Sequence, residues 1–265
     1  MNLGYSPSTA SVLDLEDAFK LAHELDFTFV ELAWEIFEIL PDAGLLERAK
    51  ELSRATGVSI SIHLPFVDLN LASLVPSARK NAVERVQRAL EGAAELDAIC
   101  GVLHTGQNSV YHPLAASYAV KALGRSFAEF SEVVPIAVEN LALSKQDLIH
   151  GPQALRDLTD GAGFHNCLDF GHAYVEAGRT GERDLTERYF DVLGERIVHL
   201  HVHSNDGAAD QHRPLSEGSL PYHRYATFLR NFSGTVCLEV TGGAEGVRGS
   251  ALHLRTLVEG LAQPS

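Results

Sequence analysis

Short runs of apolar and β-branched residues alternate along this chain with longer stretches in which apolar positions recur every three to four residues. The short runs predict strands over Asn2–Tyr5, Phe29–Leu32, Ser59–His63, Gly101–His104, Ile136–Glu139, Asn166–Asp169, Val198–His203 and Thr235–Glu239. The longer stretches predict helices over Leu15–Leu25, Gly44–Thr56, Ser77–Leu96, Pro113–Val133, Pro152–Asp160, Asp184–Val192, Pro221–Asn231 and Val247–Leu261. Three of these open with a proline, whose fixed φ suits a first helical turn. About eight strand–helix units in alternation predict a parallel sheet, and eight is the number that closes a single (β/α)8 TIM barrel. A doubly wound sheet would place a glycine-rich phosphate turn after its first strand. Residues 6–11 contain no glycine.

The 265 residues match one barrel, and no Ser/Gly-rich linker divides them, so residues 1–265 are expected to form a single domain. The longest apolar runs are a few residues, far short of the ~20 that span a bilayer. A soluble, cytoplasmic protein with no membrane partner is expected. Cys100, Cys167 and Cys237 are widely spaced in apolar runs and read as buried thiols. A formal charge of −14 with no run of Lys or Arg argues against duplex DNA and for a small-molecule substrate. The outer helices show no long exposed apolar stripe, which fits a monomer or homodimer.

Thirteen histidines change the picture, because several end predicted strands together with carboxylates. His63, His104, Glu139, Asp169 and Glu239 close strands three, four, five, six and eight, and strand seven carries His199, His201 and His203. In a parallel barrel all these ends converge at one mouth. Side-chain alternation agrees: Ile60 and Ile62 face outward while His63 faces in, and Leu200 and Val202 send the three strand-seven histidines inward. His172 follows Asp169 by three, and Asp210 with His212 lies in the loop after strand seven, within reach of the same mouth. Imidazoles mixed with carboxylates suit zinc, manganese or iron, not the all-oxygen shell of calcium. Glu31 and Trp34, at the end of strand two, are candidate substrate contacts, and Glu31 could equally stand behind a ligand. His199, deeper along its strand, reads as a core residue, and His23, His112, His150, His165 and His253 read as surface or structural.

These residues carry a resemblance. The chain resembles the sugar phosphate isomerase/epimerase superfamily, the xylose isomerase-like barrels that include family 2 apurinic/apyrimidinic endonucleases. The matching pieces are residues 61–65 and 68–72, 102–106, 137–140, 168–172, 199–203, 210–212 with Glu217 and Gly218, and 238–239. For the endonucleases, the resemblance implies three zinc ions on nine side chains. One would take His63, His104 and Glu139; a second Glu139, Asp169, His201 and Glu239; a third His172, Asp210 and His212. For the sugar isomerases it implies one ion, manganese or another divalent metal, on Glu139, Asp169, His201 and Glu239, with the two glutamates moving protons.

Three departures stand out: Ser204 occupies a place usually acidic, Ser216 one often glycine, and no loop rich in Arg and aromatic residues is present to bend a duplex. The first leaves His203 as an alternative ligand to His201, or as a substrate contact. The surplus of ligands places hydrolysis of a small sugar-phosphate or nucleotide-like phosphoester on two or three zinc ions first. Sugar or sugar-phosphate isomerisation or epimerisation on one metal is the alternative.

Overall fold

The computed structural model describes residues 1–40, 44–110 and 112–260. Eight parallel strands close into one barrel in sequence order, with β1 returning to β8. The strands are β1 (Asn2–Tyr5), β2 (Phe29–Ala33), β3 (Ser59–His63), β4 (Gly101–Leu103), β5 (Ile136–Glu139), β6 (His165–Asp169), β7 (Ile197–Val202) and β8 (Thr235–Leu238). Around them run α1 (Leu15–Glu24), α2 (Glu35–Ile39), α3 (Leu45–Thr56), α4 (Pro76–Glu95), α5 (Pro113–Phe127), α6 (Gly151–Ala162), α7 (Phe170–Thr180), α8 (Leu185–Leu193), α9 (Ala226–Asn231) and α10 (Gly243–Glu259). The predicted single barrel is therefore the fold.

Strand alternation divides the core in two. Ile60, Ile62, Val138, Leu168, Leu200, Val202, Val236 and Leu238 pack outward in one cluster beneath the helices. Val102, Ala137 and Cys167 form a separate cluster inside the barrel. The inner wall is otherwise polar over much of its height, with Glu31, Ser61, His199 and His201 all fully buried. Gly4 is required where Phe29 crosses the barrel floor, since a Cβ there would lie 2.4 Å from the Phe29 carbonyl oxygen and 2.7 Å from its ring. All three cysteines are buried and unpaired. Among the described residues no helix is long and apolar enough to cross a membrane.

The differences from the predicted elements are local. Two helices were not expected: α2, directly after β2, and α7, which starts without a loop at the end of β6. Helix α5 stops at Phe127, six residues before its expected end, where the chain turns and the Ser131 amide donates to the Gln87 side chain on α4. The expected helix from Pro221 opens as a 3-10 turn at Tyr222–Tyr225. Leu261, the expected end of the last helix, lies outside the described residues.

Candidate metal centre

The C-terminal ends of the strands surround a cavity of about 230 Å³. His63, His104, Glu139, His172, Asp210, His212 and Glu239 line it, with Ser6, Ser8, Thr9, Ala33 and Phe66 completing the wall. The expected histidines and carboxylates therefore meet at one mouth. Phe66 and the β1 loop went unforeseen, because loop residues carry no periodicity to place them.

Within this region the donors fall into three groups, each offering one donor atom per residue within 4.8 Å of the others. The first is Glu139, Asp169, His201 and Glu239; the second is His63, His104 and Glu139; the third is His172, His203, Asp210 and His212. The strand-seven ambiguity resolves into two placements, with His201 in the first group and His203 in the third. His203 is fully buried and its ring stacks on that of His212 at 4.0 Å, so it does not face the cavity as a substrate contact would. Gly171 makes room for that ring, since a Cβ there would come within 2.0 Å of His203.

Two other expected substrate contacts lie elsewhere. Trp34 is buried against Gly92 of α4 and Phe37, on the far side of β2 from the cavity. Glu31 sits inside the barrel below the mouth, fully buried, and meets His201, His199 and Ser61 instead of solvent. Glu31, His199, His201 and Cys237 form a fourth cluster of donors, none of which lines the cavity.

Local structure aims the ligands. The Asp169 side chain caps α7 by accepting from the His172 amide at 2.6 Å, which fixes the three-residue spacing that brings both to the mouth. Asn140 ties β5 to β6 by donating to the Asp169 carbonyl at 3.0 Å and accepting from its amide at 2.7 Å. Beyond β7, Ser204 and Arg213 exchange backbone hydrogen bonds at 2.8 Å, closing the loop that presents Asp210 and His212. His212 itself adopts a left-handed φ of 47°. Such strain is held in place by surrounding contacts and is typical of functional positions.

The hydrogen bonds test whether these residues fit a cation. His172 donates Nδ1–H to the Asn140 carbonyl at 2.8 Å, and His212 donates Nδ1–H to the Glu239 carbonyl at 2.9 Å. A carbonyl only accepts, so the remaining Nε2 of each ring carries a lone pair. Both lone pairs face Asp210 Oδ2, at 3.1 and 3.2 Å. Acceptor opposes acceptor there, and the arrangement is stable only with a proton or a cation between. His63 repeats the pattern, with Nδ1 on the Leu64 carbonyl at 3.0 Å and Nε2 3.7 Å from Glu139 Oε2. Glu139 Oε2 and Asp169 Oδ2 are buried with no hydrogen-bond partner. The mixture of imidazole and carboxylate donors fits zinc, and its carboxylates also suit manganese.

Without a cation, protons fill these gaps. Burial would raise the Glu139 carboxyl, but His201 and His104 hold it well below its ordinary range. Burial likewise opposes a charge on His63 and His212, yet the hydrogen bond and charge of Glu139 raise the first to about 9, and those of Asp210, with the charge of Glu239, raise the second to about 9.

Comparison with known proteins agrees with the fold. The family described as the xylose isomerase-like TIM barrel matches residues 19–257. The chain belongs to that family. An uncharacterized protein of Methanocaldococcus jannaschii is 32% identical over 203 residues, 71% of this chain and 67% of that one. Fructoselysine 3-epimerase of Escherichia coli O157:H7 is 24% identical over 232 residues, 79% of this chain and 78% of the epimerase. Among solved structures, a D-tagatose 3-epimerase-like protein superimposes with a TM-score of 0.84 at 24% identity, covering 99% of this chain and 100% of its own.

Proposed function

We propose that this enzyme is a divalent-metal-dependent sugar isomerase or epimerase, which moves a proton at a carbon next to a carbonyl. One observation carries the reading. Of the four residues in the first group, only the two glutamates, Glu139 and Glu239, line the cavity, while Asp169 and His201 lie fully buried behind them. A substrate in the cavity meets two carboxylates that can act as base and acid, and Asp169 and His201 stand behind them, suited to holding a metal together with them. The metal, when bound, polarises the substrate's carbonyl and hydroxyl oxygens. Glu139 at the end of β5 and Glu239 just after β8 both line the cavity, one suited to accept the proton and the other to return it. The cavity volume of about 230 Å³ suits a small substrate, and the relative named as fructoselysine 3-epimerase supports a sugar.

This order reverses the expectation drawn from the surplus of ligands, since kinship to sugar epimerases supports proton transfer better than hydrolysis. Phosphoester hydrolysis on two or three zinc ions remains the second reading, favoured by one observation: His63, His104, His172, Asp210 and His212 also open onto the cavity. The test is incubation of the metal-loaded protein with a panel of ketoses and aldoses in deuterated water. Deuterium appearing at a carbon next to the carbonyl supports isomerisation or epimerisation. No exchange across the panel, together with release of phosphate from phosphoesters, overturns it.

A further inference from the structure

We propose that the sugar substrate carries an apolar substituent, which lies in a trough opening from the side of the metal cavity. This rests on the isomerase or epimerase reading and names its substrate class. The trough has a volume of about 320 Å³ and shares Ser8, Ala33 and Phe66 with the metal cavity, so the two adjoin along these residues. Its remaining wall is nearly all hydrocarbon: Leu13, Ile36, Ile39, Leu40 and Val67, with Glu35 at the base. Leu13 and Ile39 keep 73% and 71% of their surface exposed, and Phe66 and Val67 keep 44% and 45%. Apolar residues exposed side by side around a concave surface are a feature of ligand-binding grooves.

Three features argue for a small-molecule substituent as the occupant. First, the metal cavity alone, about 230 Å³, is smaller than the roughly 300–1,000 Å³ usual for ligand pockets. With the trough the site reaches the ordinary size and the ordinary division, a few placed polar groups beside an apolar wall. Second, the trough is built, not incidental. The Glu35 carboxylate accepts from the amides of Phe66 and Val67 at 2.8 and 3.1 Å, fixing the loop after β3 against α2. Third, Phe66 forms the shared edge: its ring lies 4.9 Å from those of both His63 and His104, so a ligand on the metal side touches the same ring as one in the trough. The hydroxyl-rich ring of a sugar gains little from Leu13, Ile36, Ile39 and Leu40, whereas an alkyl or aryl group attached to it removes their surface from water.

The experiment compares the 1-deoxy-1-methylamino and 1-deoxy-1-hexylamino derivatives of D-fructose, which carry the same ammonium and differ only in alkyl length. Binding to the metal-loaded protein is read by calorimetry and turnover by deuterium exchange. The hexylamino sugar is expected to bind at least about tenfold more tightly, the discrimination that even small changes of apolar contact give. Ile39→Asp is expected to reduce that advantage to near unity, and circular dichroism checks that it folds. Equal binding of the two sugars overturns the substituent while leaving the proposed reaction standing if either exchanges deuterium. A dimer in size-exclusion chromatography that Ile39→Asp dissolves also overturns it, by assigning the trough to a second copy of the chain.

Discussion

Glu31 Oε1 lies 2.9 Å from His201 Nε2, and neither side chain has any exposed surface. The second carboxylate oxygen lies 3.1 Å from His199 Nε2 and accepts from Ser61 Oγ at 3.1 Å. With Nε2 turned to Glu31, the His201 ring presents Nδ1 to Glu139 at 3.1 Å and to Glu239 at 3.2 Å. A carboxylate behind a metal-binding histidine sets the ring's tautomer and orientation. Glu31→Gln is therefore expected to weaken metal binding by roughly 10–100-fold, read by competition with a chromophoric chelator. Glu31→Ala removes the buried carboxylate that His199, His201 and Ser61 share and is expected to cost about 3–5 kcal/mol in denaturant unfolding. Unaltered metal affinity in Glu31→Gln would show that the carboxylate serves only the barrel's interior.

The histidines of the mouth give the metal-free protein a pH dependence of definite sign. His63 and His212 are each raised to about 9 in the folded chain by Glu139 and by Asp210 with Glu239. Their unfolded value is near ~6.5. A raised pKa stabilises the fold in full below the unfolded value and loses that contribution as pH climbs through the folded one. The melting temperature of metal-free protein is thus expected to fall between pH 6.5 and 9. Metal binding needs the same nitrogens deprotonated and strengthens with pH. The rise in melting temperature on adding zinc should therefore grow over that window, and a rise independent of pH would exclude these rings as ligands.

Gly171 offers a structural test of the third group. The Cβ of an alanine at this position would sit 2.0 Å from His203 Cε1, and the ring has no empty space to enter because it stacks on His212. Gly171→Ala is expected to destabilise the fold by about 1–3 kcal/mol, the usual cost of overpacking. Displacing His203 should also disturb His212, so ions bound per chain should fall relative to the unaltered protein. Measured stability within error of the original would mean that α7 shifts freely at this point.

Much of this was legible in the amino-acid sequence, for physical reasons. Ile136–Glu139 reads as a short apolar run closed by Pro135 before it and by Glu139 and Asn140 at its end, and Ser59–His63 alternates polar and apolar residues between Gly57 and Pro65. Convergence of His63, His104, Glu139, Asp169 and Glu239 follows from the barrel's parallel sense alone. Helix α7 was less legible because its first turn is Phe170, Gly171 and His172, a sequence that reads as a turn until the Asp169 cap is seen. Trp34 and Glu31 illustrate the limit of alternation. It assigns Glu31 to the inner face but not its height along the barrel, which is set by the register of β2 against β3 and puts it below the mouth. Nor can alternation follow Trp34 once the chain leaves β2 and packs the ring on Gly92.

The two functional readings separate most cleanly at residues that belong to one group each. Proton transfer at carbon requires Glu139 and Glu239 and the ion they share with Asp169 and His201. Replacing either glutamate by glutamine keeps shape and removes the base, so exchange should fall by at least about 100-fold, the usual contribution of a general acid or base. His104 belongs only to the second group and His212 only to the third. On the isomerase reading, His104→Ala and His212→Ala alter the wall of the cavity and should lower exchange by no more than about tenfold, the effect of a lost peripheral contact. On the hydrolase reading each removes a ligand of an ion that takes part in the chemistry, and phosphoester turnover should collapse as completely as with Glu139→Gln. Measuring all four variants against one sugar and one phosphoester compares the readings within a single protein. The pattern decides between them: loss confined to the glutamates assigns the chemistry to the first group, and equal loss at His104 and His212 assigns it to all three.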